Sequence, residues 1–191
     1  MMVALKIATT GLDPSVDEII GICMVDERNT VLFNALIQPV RKLEWDNSPY
    51  NKITPADIAN AECPITWREL CPVVQDKINE LISRGDIILI YNQDFYMNFM
   101  PGLTVPAFVD LMPLYSLING ETLDTDSGDT SYKWESMKHA SERFGIDPSY
   151  YDLGYPVSSA QMLLMVYKAI RRYYGETLNR YIKQRASFDM I

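Results

Sequence analysis

One stretch constrains the fold of this chain more than any other: the apolar run Asp86-Ile87-Ile88-Leu89-Ile90-Tyr91. An uninterrupted apolar strand is typical of the centre of a sheet that is covered on both faces. Before this strand, apolar residues recur at steps of three and four from Trp67 to Ile82, and this spacing predicts a helix. Gly85 is suited to end that helix. A helix followed directly by a buried strand indicates a layered α/β fold.

The remaining pattern predicts the order of the other elements. Three strands are expected upstream, the last two as a hairpin: residues 3–7, 17–25 and 31–37. Residues 39–55 are expected to be irregular because three prolines punctuate them. Downstream, the spacing predicts a helix, a short strand and three more helices: residues 95–100, 108–111, 112–118, 133–144 and 158–175. This order predicts an α/β fold in which helices flank a mixed β-sheet.

Composition narrows the possible functions. The chain has 191 residues, 48% of them hydrophobic, which favours a single domain over residues 1–191. A formal net charge of −8 argues against general nucleic-acid binding, which normally uses a basic stripe. No charged leader and no apolar run near ~20 residues is found, so no membrane contact is predicted. Three cysteines without C-x-x-C spacing predict a reducing cytoplasm and no zinc site: Cys23, Cys63 and Cys71.

The first predicted strand runs into the segment Leu5-Lys6-Ile7-Ala8-Thr9-Thr10-Gly11-Leu12. This segment resembles the first motif of the DEDD family of 3′–5′ exonucleases, Asp-x-Glu-Thr-Thr-Gly-Leu. The tail of that motif, Thr9-Thr10-Gly11-Leu12, is intact. Lys6 stands where the family has its Asp, and Ala8 stands where it has its Glu. The resemblance therefore implies that two metal-binding carboxylates are replaced.

The segment after the central strand resembles the second motif of the same family, His-Asn-Ala-x-Phe-Asp. Asn92 and Phe95 fit this frame, while Tyr96 stands at the metal-binding Asp. The segment from residue 155 to 161 resembles the third motif, His-x-Ala-x-x-Asp-Ala. There Tyr155 stands at the general-base His and Ala160 at the last metal-binding Asp. The resemblance covers about residues 3–172 and leaves a helical tail at 173–191.

The resemblance implies an RNase H-like fold of the DnaQ type. In that family four carboxylates hold two Mg or Mn ions that carry the chemistry. All four positions have changed here, and an ammonium ~4 Å from a divalent ion is repelled by on the order of 8 kcal/mol at an effective dielectric of ~20. The sequence therefore predicts no metal, no cofactor and no catalytic residue. Tyrosine, with an ordinary pKa near ~10, is also a poor general base at neutral pH.

Three functions stay open. The first is binding of another protein through the former active-site cleft and the acidic surface. The second is weak binding of a nucleic-acid 3′ end by residues at the motif positions: Lys6, Thr9, Thr10, Gly11, Leu12, Asn92, Phe95, Tyr96 and Tyr155. The third is a diverged, active exonuclease with recruited ligands, for which Asp94 and Asp110 are the candidates. Asp94 is poorly placed, and Asp110 is better explained as a helix cap.

Four smaller expectations remain. Lys6 is expected to pair with a carboxylate, Asp94 being the nearest by sequence, or with a bound anion. The acidic segment 124–129 resembles a calcium loop only in part and is expected to be a solvated loop. His139 is expected on the surface of a helix. Arg171 and Arg172 are expected to complement the dipole near a helix C-terminus.

Overall fold

The computed structural model describes residues 1–46, 51–62, 64–104, 108–124 and 130–188. Its centre is a five-stranded mixed sheet in the order β3-β2-β1-β4-β5. The central strand β2 of the β3-β2-β1 part is antiparallel to both of its neighbours, whereas β1, β4 and β5 run parallel to one another. The strands are β1 (Met2–Thr9), β2 (Ile19–Asp26), β3 (Val31–Leu36), β4 (Ile87–Ile90) and β5 (Val109–Asp110). The predicted α/β fold with a mixed sheet is confirmed.

In the described part of the chain, six α-helices and a short 3-10 helix (Pro148–Tyr150) accompany the sheet, together with a separate hairpin of two short strands. The helices are α1 (Pro55–Ala59), α2 (Trp67–Ser83), α3 (Gln93–Phe99), α4 (Leu111–Asn119), α5 (Met137–Arg143) and α6 (Pro156–Phe188), and the hairpin strands are β6 (Thr122–Asp124) and β7 (Thr130–Tyr132). Among the described residues, no helix is long and apolar enough to cross a membrane.

Helices cover both faces of the sheet because strand residues alternate between the faces. Val3 and Leu5 of β1 pack against α2 and α3 on one face. Ala4 of β1 packs against α4, α5 and α6 on the other. Ile88 and Leu89 of β4 divide between the two faces in the same way. The apolar run that predicted a doubly covered central strand is thus explained, since β4 lies between β1 and β5.

Two predicted helices have different bounds in the structure. The helix expected at 133–144 begins only at Met137, because Lys133 N–H bonds Glu121 O next to the hairpin and Ser136 caps the helix by accepting from His139 N. The helix expected to end at Gly175 continues to Phe188 past a non-helical residue, Tyr174. It continues because apolar side chains beyond the bend pack on the core: Leu178, Tyr181 and Ile182.

Two elements were not predicted, namely α1 and the β6–β7 hairpin. The acidic loop predicted at 124–129 begins at Asp124, which ends β6, and its residues 125–129 lie outside the described part of the chain. Asp110 is confirmed as a helix cap, since its carboxylate accepts from Met112 N at the start of α4.

Candidate functional site

Strand β1 places two of the motif positions on one face, because residues two apart in a strand point the same way. Ala8 is 7% exposed and pairs with Gly21 of β2. A Cβ at Gly21 would lie 3.6 Å from the Ala8 Cβ and 3.4 Å from Cγ of Pro156, the first residue of α6. Ala8 therefore lies in a closely packed corner between the sheet and the start of α6.

Tyr96 fills the space beside β1 from helix α3. Its ring is 1% exposed, and its hydroxyl donates to the backbone oxygen of Leu5 at 3.0 Å. The Phe95 ring meets it edge-on at a centroid distance of 6.2 Å. Burial raises the pKa of Tyr96 well above its ordinary value. This side chain is a packed, neutral hydrogen-bond donor.

Lys6 lies partly buried between these rings and the neighbouring strand. Its Nζ is 5.7 Å from the centroid of the Tyr96 ring, a cation–π distance. Burial lowers the pKa of Lys6 to about 8, against the opposing attraction of the Asp110 carboxylate. Among the described residues, no carboxylate lies within 4.0 Å of this amine, so the ion pair expected with Asp94 does not form. The cation rests on an aromatic ring instead.

Burial also acts on the thiol next to this amine. Cys23 pairs with Lys6 across β1 and β2, and burial raises the pKa of Cys23 to about 12 despite the nearby ammonium. The thiol is therefore neutral at physiological pH and supplies no counter-charge.

A cavity of about 420 Å³ opens above Lys6. It is lined by side chains of β1, α3 and α4 and by the segment that leads into α5: Lys6, Ile7, Tyr91, Asn92, Phe95, Tyr96, Met112, Trp134, Glu135, Ser136 and Met137. The structure thus brings together Lys6, Asn92, Phe95 and Tyr96 from two motifs. A larger open groove of about 790 Å³ between Lys52 and α5 contains none of the predicted site residues.

Sequence reasoning missed the second wall of this cavity. Trp134 was assigned to a helix by its spacing, yet it precedes α5 and is 61% exposed. Glu135 follows it, with its carboxylate 2.6 Å from Lys133 Nζ. Tyr91, which donates to the backbone oxygen of Glu135 at 2.8 Å, joins this wall to the end of β4. The sequence spacing carries no signal for these contacts, which join positions 44 residues apart.

Thr9, Thr10 and Gly11 form a tightly bonded turn after β1. Thr10 Oγ1 donates to Asp17 Oδ1 at 3.0 Å and accepts from Glu18 N at 3.0 Å. Thr9 Oγ1 donates to the Gly11 oxygen at 2.6 Å. A Cβ at Gly11 would fall 2.2 Å from Asp17 Oδ2, so only glycine fits beside this carboxylate. These groups are engaged within the turn.

Asp17 is the centre of that turn. Burial alone would raise the pKa of its carboxyl, but hydrogen bonds from Lys42 Nζ at 2.6 Å, Asp13 N at 3.0 Å and Thr10 outweigh this and hold the pKa below its ordinary value. Leu12 lies in the same turn but is 57% exposed.

Asn92 adopts a left-handed backbone conformation, with φ of 76°, and its side chain accepts from Phe95 N at the start of α3. Its own N–H donates to Asp110 Oδ1 at 2.9 Å, and Gln93 N donates to Asp110 Oδ2 at 2.7 Å. Asp110 therefore organises the ends of β4 and β5 and is occupied by backbone amides.

The third motif divides between the surface and the core. Tyr155, directly before α6, is 43% exposed and does not line the cavity above Lys6. Ala160, one turn into α6, is fully buried among core residues of α4 and α6. Among the described residues, no group of three or more His, Cys, Asp or Glu side chains could hold a metal ion.

His139 and the arginine pair occupy other parts of the surface. His139 Nδ1 lies 3.1 Å from the Tyr115 hydroxyl and its side chain is 40% exposed, as a surface helix position predicts. Arg172 lies over the Tyr173 ring at 5.4 Å, just before the bend at Tyr174. The helix dipole interpretation of the arginines stays a prediction for the segment of α6 that ends at this bend.

No protein-family model matches this sequence, and no curated protein matches it at a significant level. Among solved structures, exonuclease I of Methylocaldum szegediense matches 93% of this chain with a TM-score of 0.65 and 14% identity. E. coli exonuclease I in complex with a dA16 oligonucleotide matches 94% of this chain with a TM-score of 0.60 and 15% identity. An ExoI/SSB-Ct complex matches 94% with a TM-score of 0.59 and 14% identity.

At these identities the likeness is one of fold. This chain spans only 42% of each of those three proteins. The fold therefore corresponds to less than half of the exonuclease I chains, and the chain has the architecture of an exonuclease I-like domain.

Proposed function

We propose that this chain is an exonuclease-like protein without 3′–5′ exonuclease chemistry that acts by binding another protein. One observation carries the proposal: the amine of Lys6 lies beside Tyr96, and in the DEDD motifs both of these positions are metal-binding carboxylates. A partly buried ammonium in this place repels divalent ions. Ala8 and Ala160, at the other two ligand positions, offer no oxygen to a metal.

The packing around these positions supports the same proposal. Tyr96 and Ala160 are buried, and Ala8 lies in a corner closed by Gly21 and Pro156. The two acidic candidates for recruitment give little support to an active enzyme, because three backbone amides occupy the Asp110 carboxylate. Asp94 does not line the cavity.

A protein partner suits the charge of the molecule. The net charge of −8 favours approach of a basic surface and disfavours a phosphate backbone. We further propose that residues 1–191 form one domain that acts in a reducing cytoplasm, which suits the free thiols of Cys23 and Cys71.

Binding of a nucleic-acid 3′ end is the second candidate. It is favoured by the amine of Lys6, which has no carboxylate within 4.0 Å in the described chain, and by the exposed rings of Trp134 and Tyr155. The fold neighbours include an exonuclease I bound to an oligonucleotide. This candidate requires binding that weakens steeply with salt.

The first test is a nuclease assay on single- and double-stranded DNA and RNA with magnesium or manganese. No degradation is expected, and a chelator should change nothing. Chelator-sensitive 3′ trimming that follows the protein through purification would refute the proposal. The matched control is a Lys6→Met variant, in which any trimming by a contaminating nuclease would persist unchanged.

The second test separates the two binding partners. Short single-stranded DNA and RNA are titrated at several salt concentrations. Separately, the proteins that co-purify from the native host are compared for Trp134→Ala, at the cavity, and Tyr150→Ala. Tyr150 serves as the control because its side chain is 85% exposed and lies outside the cavity. The proposal expects weak nucleic-acid binding. It also expects a partner protein that co-purifies with the unmodified chain and with Tyr150→Ala but not with Trp134→Ala. Tight, Lys6-dependent binding of DNA or RNA would favour the second candidate.

A further inference from the structure

We propose that the cavity above Lys6 binds a small organic anion, a carboxylate or phosphate monoester attached to an aromatic ring. This inference rests on the proposed function, because a metal-loaded site would leave no room for a free ammonium. It adds a ligand class to the same cavity, and its test needs no nucleic acid and no protein partner.

The charge balance of the cavity points to an anion. Lys6 and Glu135 are the charged side chains among its described lining residues. The Glu135 carboxylate is already paired with Lys133 Nζ at 2.6 Å. Lys6 Nζ lies over the face of the Tyr96 ring, and no carboxylate of the described residues lies within 4.0 Å of it. The net unpaired charge at the base of the cavity is therefore positive.

Burial gives this charge a reason to bind a ligand. Desolvation lowers the pKa of Lys6 to about 8, which leaves the amine mostly protonated at neutral pH. A partly buried ammonium without a counter-ion in direct contact is unfavourable, and the Asp110 carboxylate, which attracts it from farther away, is bonded by three backbone amides. An anion that entered the cavity would offset the lost hydration of the amine through a charge-assisted hydrogen bond.

The residues of the cavity walls favour an aromatic ring as the part of the ligand that carries the anionic group. Trp134 and Phe95 contribute aromatic surface, and Met112 and Met137 contribute flexible apolar surface. A tryptophan that is 61% exposed at the mouth of a cavity has a free ring face for stacking. The volume of about 420 Å³ falls within the range of roughly 300–1,000 Å³ of small-molecule sites, which suits a single-ring ligand.

Two neutral polar residues that line the cavity supply further donors for an anionic head. Asn92 lines the cavity, and its side-chain oxygen is held by Phe95 N, so its amide NH₂ is the end that can donate to a ligand. Ser136 caps α5 with its hydroxyl oxygen as acceptor, which leaves its O–H as a donor. One cation and two neutral donors suit a carboxylate or a phosphate monoester.

The test measures binding of benzoate and phenyl phosphate by calorimetry in a chelator-containing buffer of constant ionic strength. Benzamide, which has the same ring without the charge, is the neutral probe. Lys6→Met removes the cation at nearly constant length. Lys138→Met is the matched control, because that side chain is 64% exposed and lies outside the cavity.

Binding of at least one anion to the unmodified protein and to Lys138→Met is expected, with affinity about tenfold or more lower in Lys6→Met. Benzamide is expected to bind much more weakly and equally to all three proteins. Binding of phenyl phosphate alone would identify a phosphate ligand, and binding of benzoate alone a carboxylate ligand. Equal affinities in the unmodified protein and Lys6→Met, or no binding of either anion at millimolar concentrations, would overturn the inference.

A second variant tests the aromatic body. Trp134→Ala should weaken benzoate and phenyl phosphate binding and leave the affinity for inorganic phosphate unchanged, whereas equal affinities for the aromatic anions would reject the aromatic part of the ligand. These measurements need neither metal nor nucleic acid. Their failure therefore leaves the nuclease assay untouched, and metal-dependent trimming would refute the proposed function without altering the anion titration.

Discussion

The turn at Thr9–Leu12 and the cavity above Lys6 adjoin each other in the sequence, but their polar groups are satisfied in different ways. In the turn, Thr10 and Asp17 bond each other and nearby backbone amides. In the cavity, the amine of Lys6 lies over an aromatic ring without a carboxylate partner within 4.0 Å in the described chain. The turn is complete in itself, whereas the cavity has an unbalanced charge.

The segment 6–12 therefore has two parts: a turn whose residues bond one another, and the positions of Lys6 and Ala8, where the exonuclease motif has metal ligands. The Thr-Thr-Gly segment matches the exonuclease pattern at positions whose hydrogen bonds hold β1 to β2. Lys6 and Ala8 depart from the pattern at positions whose family role is to hold metal. The shape of the Thr-Thr-Gly segment is therefore held by local hydrogen bonds and needs no metal ligand at positions 6 and 8.

The largest effect is expected when the four motif positions are given the carboxylates of the exonuclease motifs: Lys6→Asp, Ala8→Glu, Tyr96→Asp and Ala160→Asp together. Three of these positions are buried, and like charges held close together destabilise a fold. The free energy of unfolding should fall by about 5 kcal/mol or more in chelator, measured by urea denaturation.

The control replaces the same four residues by Asn, Gln, Asn and Asn, which separates charge from size. Ala160→Asp alone should lose about 3 kcal/mol and gives a reading if the fourfold variant does not fold. An unchanged melting temperature in the fourfold variant would show that the cavity is already wet and polar.

The second effect concerns the turn. Asp17→Ala should lower the free energy of unfolding by about 3 kcal/mol at pH 7, because three donors lose their acceptor. Since the pKa of Asp17 is lowered in the fold, its contribution is present above the unfolded pKa of ~3.9 and is lost as pH falls through the folded pKa. Stability measured from pH 7 to pH 2 should converge for the two proteins.

Asp13→Ala is the matched control for the turn, because that carboxylate bonds only the exposed Ser15. A loss of less than about 1 kcal/mol is expected. Equal losses of unfolding free energy for Asp13→Ala and Asp17→Ala would show that the three hydrogen bonds to Asp17 do not stabilise the turn more than an exposed carboxylate does.

The third effect has the opposite sign. Lys6→Met should raise the free energy of unfolding by about 2 kcal/mol at pH 7, because a buried ammonium is removed. The pKa of Lys6 is lowered to about 8 in the fold and is near ~10.4 unfolded, so the penalty is full below about pH 8 and disappears above about pH 10. Denaturation at pH 7 and pH 10 tests this, and a gain that stays constant with pH would point to packing instead.

The smallest effect is expected at the exposed end of the turn. Leu12→Ser should change stability by less than about 0.5 kcal/mol, because this side chain is 57% exposed. A loss above about 1 kcal/mol in thermal denaturation would place Leu12 in the core of the turn. Leu12 would then contribute to the stability of the turn as its hydrogen-bonded residues do.

Much of the sheet could be predicted because strand faces alternate or run continuously apolar, as in β1 and β4. The helix α1 was missed although Thr54, Pro55 and Asp57 form a capping box with proline at the first position. The position of Trp134 could not be predicted, because its helical spacing was overruled by the hairpin that ends at Tyr132. The position of this wall depends on hydrogen bonds between segments that are far apart in the sequence, such as that from Tyr91 to Glu135.

Tyr96 links the stability of the sheet to a position where the exonuclease motif has a carboxylate. Strands β1 and β4 pair only as far as Ala4, and the Tyr96 hydroxyl bonds the carbonyl of the next residue, Leu5. The side chain thus prolongs the sheet by one hydrogen bond. A Tyr96→Asp change alone would leave that carbonyl without its donor and open a void about the size of a ring, so a carboxylate at this position would come with a loss of stability.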